Sequence, residues 1–496
     1  MAKGDLQITA PQQGIAQSPQ IGFADSRNID IYTVPGMAIL SNILEKKSGT
    51  TVDAHVNWIV QDPDTPSNIF ALDTNGVLYK SADTGATWAE VSDRGGAGQG
   101  LAVKWGYVFI AEATTMDVMK ISDSSFTDNW GGLTMDTDAL WHPMIVSKND
   151  GKIYGGAGRY IFSIEQVDGQ TFDPTSSATY TVTAQALDLP VGYRVKCLAE
   201  LGNNLMIGTW QGTNVYDIRI ADIFPWDRSA PSFGQPIQIN TYGVHAMLNT
   251  GNTLIVLAGI DGTVYKSDGV VAVPIAQIPD QIASIRGGKY LEWYPNGIIT
   301  YKDRVFFGVG GGGTSAIDGM GVYSLMQTSK GNIINIEHGI STGNYGASNV
   351  CKVSALLPTS RDTLLVGWRD NATYGIDKTT ATSYAYSTDY SGYFTTALYT
   401  VGTNLQKKKF KELEFLLSRI LRTGEGIKIE YRKDLSESFV EVKEFPFSGT
   451  DVGAVASDNV ITSEPNDIKL GEQIQLKISL LGTATTTPEF KHLIMR

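Results

Sequence analysis

Eight consecutive residues, Ser81-Ala-Asp83-Thr-Gly85-Ala-Thr-Trp88, set a hydroxyl, a carboxylate, a glycine and an indole at fixed spacing. That set suits a folded turn: Asp83 can accept backbone N–H bonds, Gly85 can turn left-handed, and Trp88 can pin the next strand. The pattern says nothing of catalysis. Cleavage of an acidic sugar would need clustered arginines, a tyrosine activated by a carboxylate, and an acid for the leaving group. Arg159, Arg194, Arg219, Arg286, Arg304 and Arg369, with Glu200 and Glu292, are scattered instead, and surface or inter-strand pairing is the favoured reading for them. His55, His142, His245, His338 and His492 never approach ligand spacing. Asp62-Pro-Asp64 and the segment from Asp123 to Asp128 have calcium as a minor reading beside that of turns. Gly308-Val-Gly310-Gly-Gly-Gly313 precedes no helix and is read as a flexible hairpin. The sequence thus points to no catalytic residue, no cofactor and no metal.

Tyr384, Tyr386, Tyr390, Tyr393 and Tyr399 crowd a stretch poor in charge, where flat rings edged by hydroxyls suit either sugar stacking or interface packing. Packing is favoured. Lys407 to Lys411 is read as a solvated strand face, with an anionic surface as the alternative.

The elements that carry these residues repeat. Ile69, Phe70 and Leu72 lead into Thr74-Asn75-Gly76, a hairpin signal, and Val77, Leu78 and Tyr79 return. Similar strand phrases begin at Tyr107, Lys152, Asn204, Thr253, Arg304 and Asp362, with return strands at Val215-Tyr216, Val264-Tyr265 and Val322-Tyr323. About seven copies, roughly 40 to 58 residues apart, have the period of propeller blades. Each blade is apolar on two faces, so only a closed ring buries them all. Gly259-Ile-Asp-Gly262-Thr-Val-Tyr265 echoes the first copy but ends at Ser267-Asp-Gly269 with no tryptophan.

Ahead of the repeats, residues 1–50 form an extended arm in which Ile29, Ile31 and Tyr32 interrupt polar positions before Pro35-Gly36. The arm wants a partner strand, either in the last blade of the ring or in a neighbouring subunit. Behind them, Ile427, Ile429 and Tyr431, then Ile474, Leu476, Ile478 and Leu480, alternate with polar residues as half-buried strands do. The segment after Phe410 fits a strand or a helix from Lys411 to Leu421, and the strand is preferred. The expected fold is therefore all-β: an extended N-terminal arm (1–50), a β-propeller of about seven blades (51–388) and a small antiparallel β-sandwich (389–496).

Composition agrees: the 496 residues are 42% hydrophobic and include 53 glycines, enough for two or three domains of short strands and tight turns. Acidic residues outnumber basic ones 51 to 39, and a net charge of -12 argues against a protein that wraps nucleic acid, though it leaves room for a local basic patch. The opening Met1-Ala-Lys-Gly-Asp lacks an apolar signal core and no run is long enough to span a bilayer, so folding in a cytosol is expected. Cys197 and Cys351 read as separate buried thiols.

Two resemblances follow. The octet from Ser81 to Trp88, through Ser81, Asp83, Gly85 and Trp88, resembles the Asp-box of sialidase-like β-propellers, whose turns lie on the rim away from the central cleft. The arm segment Ser26-Arg-Asn-Ile-Asp-Ile-Tyr-Thr-Val-Pro-Gly36, Trp58-Ile-Val60, the propeller, and the ending Thr487-Pro-Glu-Phe490-Lys-His-Leu493 together resemble β-propeller nozzle or hub proteins of bacteriophage tails. That likeness implies a virion protein without catalysis, made in the host bacterial cytoplasm and set in a six-fold homo-oligomeric ring with other tail proteins. DNA would pass transiently without specific binding, and a host surface glycan is the alternative partner.

Overall fold

The computed structural model describes residues 6–9, 23–34, 36–49, 52–214, 217–278, 290–311, 319–328, 331–342, 350–380, 384, 392–400, 413–445, 460–463 and 473–495. Among them the chain is all-β, with a single 3-10 turn at Trp130–Gly132. No helix is long and apolar enough to cross a membrane.

Seven antiparallel sheets follow one another as blades. Blade 1 is Val56–Gln61, Ile69–Asp73, Val77–Ser81 and Ala89–Asp93, paired in chain order. Its second strand is buried at all five positions because both faces of a blade meet neighbours. Blade 2 runs from Gly100–Lys104 to Phe126–Thr127, blade 3 from Met144–Val146 to Tyr180–Asp188, blade 4 from Tyr193–Leu201 to Ile237–Ile239, and blade 5 from Val244–Asn249 to Ala272–Gln277. In blade 6, Leu291–Glu292 and Ile298–Tyr301 both pair with Arg304–Gly311, followed by Gly321–Thr328 and Gly331–His338.

Two sequence expectations change here. The return strand of blade 4 is Ala221–Trp226; of the segment expected there, Val215 and Tyr216 lie outside the described residues, and Asp217 accepts from the Thr213 and Asn214 amides. The glycines from Gly308 to Gly311 end a strand buried at every position, while Gly312 and Gly313 of the same run lie outside the described residues. A Cβ on Gly308 would stand 2.5 Å from the Val353 carbonyl oxygen, so glycine lets blade 6 approach the backbone of blade 7.

Blade 7 supplies Cys351–Ser360, Thr363–Asp370 and Thr373–Thr379, and its fourth strand comes from the arm. The arm holds five short strands: β1 (Leu6–Thr9), β2 (Phe23–Arg27), β3 (Ile29–Asp30), β4 (Ile39–Leu40) and β5 (Leu44–Lys46). Strand β5 pairs with Thr373–Thr379, Leu44 opposite Thr379, so the arm completes the last blade of its own ring. The alternating stretch near Ile29 plays another part, as β3 pairs with β4.

The sandwich also takes strands from the arm. One sheet joins β1 to Phe490–Met495, Leu413–Leu417 and Val460–Ser463. The other joins β2 to Gly392–Thr396, Gln473–Leu481, Gly426–Arg432 and Val440–Phe445. Leu413–Leu417 is thus a strand, as preferred. Phe394 and Phe490 face each other between the sheets with centroids 5.4 Å apart. The apolar core runs without a break from blades 5, 6 and 7 into the sandwich.

Candidate functional site

The octet forms a closed turn between the third and fourth strands of blade 1. Ser81 Oγ donates to Asp83 Oδ1 at 2.7 Å and accepts from the Gly85 amide at 2.8 Å. Asp83 further accepts from the amides of Ala86 and Thr87 at 3.0 and 2.9 Å, and from Thr87 Oγ1 at 2.6 Å. Slight burial raises its pKa, but the bonds from Thr87, Ser81 and Ala86 win and hold it at about 2. Gly85 has φ +80°, and its Cβ would meet the Leu365 methyls at 2.7 Å. Trp88 is buried in a core that blade 1 shares with Ala355, Leu365 and Ile376 of blade 7. The Ser81 hydroxyl, the Asp83 carboxylate and the Gly85, Ala86 and Thr87 amides thus bind one another.

At the opposite end of the ring, where the chain passes from each blade into the next, the axis is filled. Tyr294 of blade 6 stands 5.3 Å from His55, which leads into blade 1, and 5.6 Å from Trp141, which leads into blade 3. Rings from three non-adjacent blades can touch only across the centre. The segment carrying Tyr294 is fixed all round: Trp293 Nε1 donates to the Gly259 carbonyl at 3.0 Å, and Asn296 accepts from the Ile59 amide at 2.8 Å and the Leu356 amide at 2.9 Å.

Polar side chains gather below this plug. Register slips in four innermost strands leave Asn57, Lys196, His245 and Ser354 as extra residues, and all four are buried. Lys196 Nζ lies 2.6 Å from His245 Nδ1 and 5.4 Å from the Trp141 ring centroid. Burial lowers its pKa to about 8 against the pull of Glu292 and Cys197. Burial likewise holds His55 and His245 well below the usual histidine range. A lysine of depressed pKa is the chemistry of imine formation, but at 1% exposure this amine meets no substrate. No sequence signal marked Lys196 or Tyr294, since a bulge is set by pairing across strands.

The sequence-marked residues sit apart. Arg159 pairs with Asp188, Arg194 with Asp136 and Asp138, and Glu200 with Arg228, while Glu292 pairs with Lys352 at 2.7 Å. Arg219 and Arg369 donate to the carbonyls of Asn240 and Asn371. Arg304 is buried between Asp30 and Glu337. Asp62 accepts from the Asp64 amide at 3.0 Å, as an Asx turn does. Among the described residues no three His, Cys, Asp or Glu side chains gather to hold a metal. Tyr384 donates its amide to the Thr483 carbonyl, tying the end of the propeller to the sandwich. Tyr393 donates to Asp25 Oδ2 at 2.9 Å, with Lys477 Nζ 4.5 Å from its ring centroid. Tyr386, Tyr390, Arg286 and Lys407 to Lys411 lie outside the described residues.

No protein-family model and no curated protein matches the chain. Solved structures of similar fold include YCF48 bound to D1 peptide, at 11% identity and TM-score 0.43, covering 71% of this chain and 98% of that one. Another is the RRP9 WD40 repeats, at 13% identity and TM-score 0.47, covering 69% and 99%. A third is the GH74 enzyme of Niastella koreensis, at 14% identity and TM-score 0.42, covering 76% of this chain and 61% of that one.

Proposed function

We propose that the chain is an architectural protein of a bacteriophage tail, of nozzle, hub or adaptor type, and that it performs no catalysis. One observation carries the reading: the arm is laced through both domains, adding strands to both sandwich sheets and closing blade 7, so that propeller and sandwich form one stiff piece. The lacing is locked by polar side chains: Ser26 Oγ donates to Asn335 Oδ1 at 2.6 Å and the Gly339 amide donates to Asn28 Oδ1 at 2.8 Å. Stiffness of this kind suits a part that bears load during genome ejection. The plugged axis supports the same reading, because DNA would then pass through the centre of a ring of subunits and not through a propeller. With a net charge of -12, such a ring repels the duplex rather than gripping it.

The test is to image purified particles labelled at the C-terminus. Label on the tail axis, in a six-fold ring whose inner wall is acidic, supports the proposal. Unlabelled particles, or a wall lined with Lys and Arg, would sink it. A fibre-type module that binds a host glycan is the second reading, and a glycan array on the purified chain separates the two. A glycoside hydrolase is the third. Reducing ends released from host capsule or lipopolysaccharide would reveal it.

A further inference from the structure

The hairpin joining Gly100–Lys104 to Tyr107–Ala111 turns on two residues, Trp105 at φ +54° and Gly106 at φ +79°. Two positive φ values make the tight turn that suits a right-twisted hairpin, and its first position favours Asn, Asp or Gly. A tryptophan there strains the backbone, and strain retained by a fold points to a use for the side chain. The use is visible in where the indole is held. It stacks on Phe172 with centroids 5.0 Å apart and planes 19° from parallel, and meets Phe109 edge-on at 6.1 Å. Half-buried, it forms part of the wall of a cleft of about 1180 Å³ between the turns of blades 1, 2 and 3. Tyr107 stands beside it, and Asn68, Asp64, Lys120, Gln170 and Thr171 contribute the polar rim.

We infer that this cleft binds an uncharged oligosaccharide on the Trp105 platform. A sugar ring offers an apolar C–H face to an aromatic plane and a belt of hydroxyls to surrounding amides, carboxylates and ammonium groups, which is the distribution found here. The volume holds several linked sugars rather than one. Asp62, Asp64 and Asp173 line the cleft against Lys120, and Lys104 Nζ stands 5.8 Å from the Trp105 ring centroid, so three carboxylates outnumber two ammonium groups and an acidic sugar is disfavoured. The site lies at the end of the ring that carries the octet turn, away from the plugged axial mouth, and does not depend on the tail assignment.

The experiment is titration calorimetry of the full chain with maltohexaose, cellohexaose and chitohexaose, with a sialic-acid hexamer as the acidic comparison. Binding of at least one neutral probe, with at least tenfold loss in Trp105→Asn, is expected. Asparagine is at home at φ +54°, so that variant keeps the turn and should melt within a few degrees of the parent. If it fails to fold, Gln170→Ala on the exposed rim serves in its place and should weaken binding at least threefold. Tyr393→Phe, in the distant tyrosine stretch, should bind as the parent does. The inference is overturned if no neutral probe binds at millimolar concentration, if the acidic hexamer binds better, or if the folded cleft variant binds unchanged.

Discussion

Blade 1 and blade 7 share a core in which Trp88 packs with Leu365 and Ile376, yet they are built in opposite ways. Blade 1 is made of consecutive residues, and the hydrogen bonds of Ser81 and Asp83 in its turn span no more than four positions. Blade 7 takes its outer strand from residues more than 300 positions away. Their carboxylates differ in the same sense. Asp83 is exposed and ringed by donors, which hold it at about 2. Asp377 is buried, and burial pushes it up to about 6 against the bonds from Ser341 and the charge of Lys46. Local chemistry satisfies the Asp83 carboxylate with near neighbours alone, whereas long-range closure buries polar groups that depend on every partner arriving.

The comparison can be broken most severely by deleting residues 1–49. This removes the fourth strand of blade 7 and two sandwich strands, so insoluble protein or loss of a cooperative thermal transition is expected. A soluble product melting near the parent temperature would show that the arm is an accessory. Next comes Arg304→Met, which leaves Asp30 and Glu337 buried without their cation and should cost about 3 to 5 kcal/mol in denaturant unfolding. A loss below 1 kcal/mol would mean that this lock is idle.

Asp377→Asn sharpens the contrast through pH. A carboxyl whose folded pKa is raised loses stability as pH climbs from its unfolded value, near 4, through about 6. The amide can still bond to Ser341 through both its oxygen and its nitrogen. The variant should therefore be more stable than the parent by about 1 to 2 kcal/mol at pH 7. The curves should meet below pH 4, and a variant weaker at pH 7 would refute the sign. Gly85→Ala, at φ +80° and against Leu365, should cost about 1 to 3 kcal/mol. Gly95→Ala has φ +69° but open space, so it should cost about 1 kcal/mol. The difference isolates the contact between the blades.

The smallest effect belongs to the turn itself. Asp83→Ala should cost about 1 kcal/mol at pH 7, since its donors can turn to water. The penalty should vanish as pH falls from about 4 through 2, because a depressed carboxylate contributes only above its unfolded pKa. Asp268 in blade 5 accepts two amides, from Val270 and Val271, while Ser267 Oγ accepts from the Gly269 amide, and no tryptophan follows to complete the turn. Its change to Ala should cost less than that of Asp83, and the reverse order would mean that the fuller motif adds nothing.

The turn from Ser81 to Trp88 is legible in the sequence because the partners of Ser81 and Asp83 lie within the octet, and Asn75-Gly76 marks its hairpin for the same reason. The strands after Tyr107, Asn204 and Thr253 were legible from their apolar runs. The return strand of blade 4, Ala221–Trp226, starts six positions beyond Val215, because an apolar pair by itself does not fix where a strand begins. The glycines at 308 to 311 read as slack because their packing partner, Val353, lies far along the chain. Trp105 drew no notice, since a tryptophan beside a glycine has no local signature and only its φ and the nearby Phe172 give it a role.

By itself the sequence determined the repeating unit, the apolar runs of most blade strands and the local bonds of Ser81 and Asp83, because hydrophobic alternation and short-range hydrogen bonding act between near neighbours. Only the tertiary structure decided that Leu44–Lys46 shuts the ring, that Tyr294 fills its centre, and that Arg304 lies between Asp30 and Glu337. Those contacts join residues remote in the chain, whose meeting is set by how seven blades close and not by any preference of the residues themselves.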